Sequence, residues 1–137
     1  MSSFRIFDIA GSGMSAQSVR LNTVASNLAN AESLSSDPAQ VYRAKHPVFQ
    51  AVQPVAGDAA SSGVRIAAIA ESRAEAQRRY EPGNPLADAQ GYVYAPSVNV
   101  VEEMVDMISA SRAYQNDVEV MNTARNLMLA TLKLGQG

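Results

Sequence analysis

From Phe4 onward, apolar side chains recur at Phe7, Met14, Leu21 and Leu28, seven residues apart, with Phe4, Ala10, Val24 and Ala31 at the intervening positions. This spacing predicts a helix with one narrow seam, the pattern by which two helices cover each other. Gly11 and Gly13 fall inside it, and each costs a helix roughly 1 kcal/mol relative to Ala. The first three turns therefore need a neighbour to stay helical. A second run, Val100 to Leu134, carries Met104, Ile108, Ser111, Tyr114, Val118, Met121, Arg125, Met128 and Leu132 on a stripe that advances by threes and fours. Asn99, with Glu102 three residues on, predicts its capped start, and Glu103 and Asp106 lie near the positive helix end. Lys133 followed by Gly135 marks its stop.

At 1.5 Å per residue the first helix is about 42 Å long and the second about 52 Å, longer than so small a domain needs. The expected fold is mainly α. Two long terminal helices, residues 1–31 and 98–137, pair as an antiparallel coiled-coil-like layer in which Leu21 and Leu28 meet Val118, Met121 or Met128. Around the narrow stripes stand Gln17, Asn22, Asn27, Asn30, Gln115, Asn116, Asn122 and Asn126. A stripe of that shape covers one partner helix and leaves the other faces free for further subunits. The methionines Met104, Met107, Met121 and Met128 share the second helix as flexible fillers of apolar contacts.

Between the helices, residues 32–97 lose the helical period and gain punctuation: SLSSDP, the GDAASSG stretch of Gly57 to Gly63, and EPGNP at Glu81 to Pro85. The runs Tyr42 to Val52, Val64 to Ala70 and Gly91 to Ala95 have strand-like content. A small, partly irregular β insertion is expected there.

Composition narrows the function. The apolar fraction is 47%, but only 6% is aromatic and Trp is absent, which suits close helix contacts better than a thick core. Eleven basic and thirteen acidic residues leave a net charge of -2, with no basic stripe for a phosphate backbone, so nucleic acid is not an expected partner. Cysteine is absent, which excludes disulfides and thiolate chemistry. No stretch approaches a bilayer span, and the N-terminus lacks a basic segment followed by a continuous apolar one. Any role outside the cytoplasm is expected to use a route that reads no cleavable signal.

Candidate chemistry is sparse. The lone histidine, His46, precedes Pro47 in a loop-like segment without a nucleophile and an orienting group beside it. No set of residues is spaced for zinc. Glu102, Glu103 and Asp106 read as favourable charges at a helix start. Gly11-Ser12-Gly13 lacks the preceding strand and the Lys-Thr sequel of a phosphate loop. Asn84-Pro85 is followed by Leu86-Ala87 and reads as a turn. Neither an enzyme, a cofactor nor a metal is expected.

The stretch Leu21 to Ala31, LNTVASNLANA, resembles the N-terminal signature of the flagellar rod, hook and hook-cap axial proteins. Ser97 to Gly135 resembles the C-terminal signature of the proximal rod proteins, and YEPGNPLADAQGYVYAPSVN, Tyr80 to Asn99, resembles the segment that precedes it in that branch. Asn84 departs from the family pattern, which has His, and Asn116-Asp117 stands where Ala-Asn is usual. The resemblance implies a structural subunit of the proximal rod that stacks helically with other rod proteins and with copies of itself. That assembly is a drive shaft which transmits torque and encloses an export channel. It implies passage through the flagellar type III export apparatus and residence in the rod, in the periplasmic space. It marks Phe7, Met14, Leu21, Val24, Leu28, Met104, Ile108, Tyr114, Val118, Met121, Met128 and Leu132 as pairing or assembly positions, and Asn22, Asn27, Asn30, Asn99, Glu103 and Arg112 as polar motif positions. The alternative reading is a cytoplasmic helical adaptor or export chaperone, which would be fully folded when purified.

Overall fold

A computed structural model describes residues 3–53 and 62–135. Two long helices, α1 (Ser3–Asn30) and α2 (Val100–Leu134), bracket a short 3-10 turn (Pro38–Gln40) and four strands: β1 (Lys45–Val52), β2 (Gly63–Glu71), β3 (Gln77–Tyr80) and β4 (Tyr92–Ala95). The chain is mainly helical, as the sequence predicts, with two small antiparallel sheets between the helices. The predicted 57–63 loop lies outside the described residues except for Ser62 and Gly63.

α1 is the sheltered helix. Its exposed side chains, Phe4, Asp8, Ser15, Ser18, Asn22, Ala25 and Ala29, fall on one narrow strip, and the remaining described ones are at least half-buried. Cover comes from α2 on one side and from the β1–β2 hairpin on another. α2 is sheltered on one face only, at Glu103, Met107, Ala110, Tyr114, Asp117, Met121, Ala124 and Met128, alternating steps of four and three.

Three cross-helix approaches set an antiparallel register: Asn27 to Glu103 at 3.0 Å, Arg20 to Asp106 at 2.6 Å, and the Gly13 backbone against the Asp117 carboxylate. This places Leu21 and Leu28 opposite the first three turns of α2. The expected meeting of Leu21 and Leu28 with Val118, Met121 or Met128 is therefore corrected, since those residues lie about 13 to 39 Å farther along the axis. A seven-residue repeat slides onto itself one period at a time, so apolar spacing leaves the register open; the polar pairs close it.

Asn99 caps α2 through its side-chain oxygen, which accepts from Val101 N at 3.1 Å and Glu102 N at 3.4 Å. At the far end Gly135 N donates to Thr131 O. The buried apolar residues are small throughout: Ala10, Ala16, Val24, Ala31, Val41, Ala44, Val93, Ala95, Ala110 and Ala124. That is the core the aromatic-poor composition anticipates.

β1 and β2 form a hairpin from Lys45↔Glu71 to Val52↔Gly63, with a register shift between Val48 and Phe49. It is tied to α1 where Ser12 Oγ accepts from Val64 N at 3.1 Å while donating to Ile9 O. A Cβ on Gly63 would stand 2.9 Å from Ser12 Oγ, so a side chain there would displace that hydroxyl. β3, Gln-Arg-Arg-Tyr, is not legible as a strand because three of its four side chains are polar and it pairs on one side only. β4 carries the pattern instead, with Val93 and Ala95 fully buried. The β3–β4 connection is a closed loop in which Glu81 N donates to Gly91 O and Asp88 N to Tyr92 O. Gly91 has φ +83°, and a Cβ there would meet the Tyr80 ring at 2.9 Å.

Candidate assembly surface

The centre of the molecule is a side-chain amide. Asn27 is fully buried. Its Oδ1 accepts from Lys45 N and from the Tyr42 hydroxyl, both at 2.9 Å, and its Nδ2 donates to Lys45 O at 2.9 Å and to Glu103 Oε2 at 3.0 Å. Both donors and both acceptor positions are thus used, the most an amide can make. One side chain pins α1 to α2 and pairs with the Lys45 peptide as a neighbouring strand would. The sequence places Asn27 on a polar face beside the Leu28 seam. The structure corrects this: the helix turns Asn27 into the junction of three elements and leaves Leu28 half-buried. Glu103, also buried, is more than a charge at a helix start, because it holds the other end of this bond.

Toward the other end of α1 the seam narrows. A Cβ built on Gly13 would lie 2.6 Å from Asp117 Oδ2, so the missing side chain is what lets the α2 carboxylate reach the α1 backbone. Burial raises the pKa of the Asp117 carboxyl from its ordinary value. The predicted need of the Gly11–Gly13 segment for a neighbour is met at Gly13, whereas nothing lies within 4 Å of a Cβ on Gly11. Arg20 with Asp106 adds a partly exposed interhelical ion pair.

Of the pairing positions read from sequence, Val24 is buried and Phe7, Met14, Leu21, Leu28, Tyr114, Val118, Met121 and Met128 are half-buried. Met104, Ile108 and Leu132 are exposed, at 54, 55 and 57%, and so are not in the pairing seam. Met104 flanks the inward positions Glu103, Met107 and Ala110, and Ile108 lies farther round α2, away from α1. Leu132 lies beyond the point where α1 begins. Among the polar motif positions, Asn22 and Arg112 are exposed, Asn30 Nδ2 bonds back to Ser26 O, and Asn99 is the α2 cap. Sequence reasoning missed Tyr42, Arg20, Ala110 and Ala124. The last two carry the clearest signal in hindsight, since small residues recur on the inward spacing of α2.

The remaining chemistry resolves into structure. His46 is exposed and lies in β1, paired with Ala70, and not in a loop. Asn84 Oδ1 accepts from Leu86 N across Pro85 while its Nδ2 donates to Glu81 Oε2, the turn its sequence predicts. Asp88 accepts from Tyr92 N and Gln90 N and from the Tyr94 hydroxyl. These bonds, led by that from Tyr92 N, lower its pKa, while burial and the same carboxylate raise that of Tyr94. A hollow lined by Val41, Tyr42, Ala44, Ser72 and Ala76 measures about 10 Å³, room for a water at most. Among the described residues no three His, Asp or Glu side chains gather as metal ligands, and no helix is long and apolar enough to cross a membrane.

The surface, then, is a helix pair locked by buried polar contacts, with one helix open to its surroundings along most of its length. Comparison with known proteins gives this arrangement a family. Residues 7–32 match the family described as flagella basal body rod protein, and residues 89–134 the C-terminal family of the flagellar basal body rod FlgEFG proteins. The flagellar basal-body rod protein FlgC of Escherichia coli O6:H1 is 57% identical over 136 residues, covering 99% of this chain and 100% of the relative. Its counterpart in Salmonella typhimurium is 56% identical with the same coverage, and that of Buchnera aphidicola from Acyrthosiphon pisum is 41% identical over 138 residues. The chain belongs to the FlgC family of flagellar basal-body rod proteins, and is a structural subunit of the rod and not an enzyme.

Proposed function

We propose that residues 1–31 and 98–137 form the axial core through which this subunit stacks helically with other rod proteins and with copies of itself. The resulting shaft transmits torque and encloses an export channel, and residues 32–97 form a smaller insertion on that core. The observation that carries this reading is the imbalance between the helices. α1 is covered on several sides, while α2 leaves Val101, Met104, Val105 and Ile108 exposed, outside the positions that face α1. Apolar stripes of this kind mark surfaces that meet another molecule. The alternating three-and-four spacing of the sheltered α2 positions supports a coiled-coil-like pair.

The subunit reaches the periplasmic space through the flagellar type III export apparatus. Deleting the first twenty residues is expected to block both export and rod assembly, whereas His46→Ala leaves motility intact. Fractionation of basal bodies and swimming assays read both. Normal rods from the deletion, or a motility defect in His46→Ala with normal incorporation, would overturn this account.

A further inference from the structure

We propose that Asp117 and Gln17 form a proton-operated clasp across the helix pair. Protonated, the Asp117 carboxyl donates to Gln17 Oε1 and closes the first turns of α1 onto α2; ionised, it has no proton to give and the clasp opens. The clasp is a property of the single chain and does not rest on the rod reading.

Two observations on opposite helices meet in one gap. On α2, the Asp117 carboxylate fills the space where a Gly13 side chain would stand, its atoms 2.6 to 3.1 Å from that position. On α1, Gln17 Oε1 is buried and accepts no hydrogen bond, the one side-chain atom in that condition among the described residues. Buried polar atoms are nearly always paired, so this acceptor calls for a donor, and an ionised carboxylate is not one. Gln17 stands one turn beyond Gly13 in α1, and helix side chains lean toward the N-terminus. Its amide therefore lies over the Gly13 turn, beside the carboxylate that occupies it. The protonated carboxyl supplies the donor that this oxygen lacks, and the proton comes from solvent.

Neighbouring charges leave the pair to itself. On α1, Arg20 is held by Asp106 at 2.6 Å, Asp8 lies on the exposed strip, and Arg5 is two turns nearer the N-terminus than Gly13. At the hairpin end beside Ser12, Arg65 donates to Gln50 Oε1 through Nε and Nη2. On α2 itself, Arg112 and Glu119 are exposed, and half-buried Tyr114 precedes Asp117 by one turn. Burial is the only cause of the rise in the Asp117 pKa, so none of these groups sets it. A folded-state pKa raised in this way means that closure takes up a proton. The clasp is fully shut below the ordinary carboxylate pKa and is lost as pH rises through the folded-state value. It acts where Gly11 and Gly13 weaken the helix and a second hold on α2 matters most.

The test is an NMR titration of the Asp117 carboxyl carbon in the full-length chain, unsubstituted and as Gln17→Met, which keeps the side-chain length but removes the acceptor. Losing the partner of the protonated form should move the Asp117 titration to lower pH by about 0.5 to 1 pH unit. No movement, or an unsubstituted chain in which Asp117 titrates as a free aspartate, would overturn the proposal. So would an upward movement, which would show the amide donating N–H to the ionised carboxylate instead. A second measurement leaves Gln17 in place. Amide exchange of residues 3–17, corrected for the intrinsic effect of pH, should slow on acidification of the unsubstituted chain, and the Asp117→Asn chain, whose amide donates at every pH, should lose that response. An equal response in Asp117→Asn, or none in the unsubstituted chain, refutes the clasp.

Discussion

Replacing Asn27 by Ala should be the most damaging truncation in α1, despite removing only a short polar side chain. The structure sets the magnitude. The Lys45 N–H and C=O lose their partners, and the buried Glu103 carboxylate loses its Asn27 donor, while the Tyr42 hydroxyl keeps Ser26 Oγ at 3.2 Å. Stranding a buried polar group costs about 1–3 kcal/mol, and solvent reaches half-buried Lys45 in part, so a loss of roughly 3–5 kcal/mol is expected. Asn22→Ala, on the exposed strip, should stay within about 0.5 kcal/mol. Urea unfolding followed by far-UV circular dichroism reads both. Asn27→Asp adds a diagnostic: it keeps the acceptor but aims a second carboxylate at Glu103 and at Lys45 O. That variant should be at least as unstable as Asn27→Ala at neutral pH and should recover in acid, where one proton bridges the pair. An Asn27→Ala loss below about 1 kcal/mol would refute the central role of this amide.

Two further substitutions test the narrow end of the seam. Gly11→Ala meets open space and should stabilise the chain by about 0.5–1 kcal/mol through helix propensity, whereas Gly13→Ala must displace the Asp117 carboxylate and should give no gain; equal gains at both would place Asp117 elsewhere. Asp117→Asn should stabilise the chain at neutral pH. The raised carboxyl pKa means that folding favours the protonated form, so the Asp117 contribution is intact below the ordinary carboxylate range and is lost as pH rises through the folded-state value. The advantage of Asn should therefore shrink in acid, and urea midpoints at the two pH extremes decide it; an advantage independent of pH would mean that the charge is not what burial penalises.

Helix extents were legible because their signals are local. Asn99 writes the start of α2 in one side chain, and the seven-residue spacing from Phe7 to Leu28 needs no partner to be seen. Strands β1, β2 and β4 were legible from their apolar and β-branched content, while β3, with Arg78 and Arg79, was not. The facing of α2 was misread for a physical reason. Apolar side chains were taken to point at α1, yet Met104 and Ile108 are exposed, and the inward positions hold Ala110, Ala124, Glu103 and Asp117. A chain whose apolar surface is divided between its own fold and other molecules carries two overlapping patterns on one helix. Only three-dimensional contacts, here Asn27 to Glu103 and Gly13 to Asp117, separate them.

The small side chains in the helix pair also bear on mechanics. Ala10, Ala16, Ala110 and Ala124 are buried within α1 and α2, and Ala has no rotamers through which a contact can give. Long side chains under load relax by hopping between wells; a contact made of methyl groups and backbone has no such slack, and strain passes from one helix to the next with little loss. A subunit built this way twists as a unit, so compliance in a shaft made of such subunits would reside in the contacts between them.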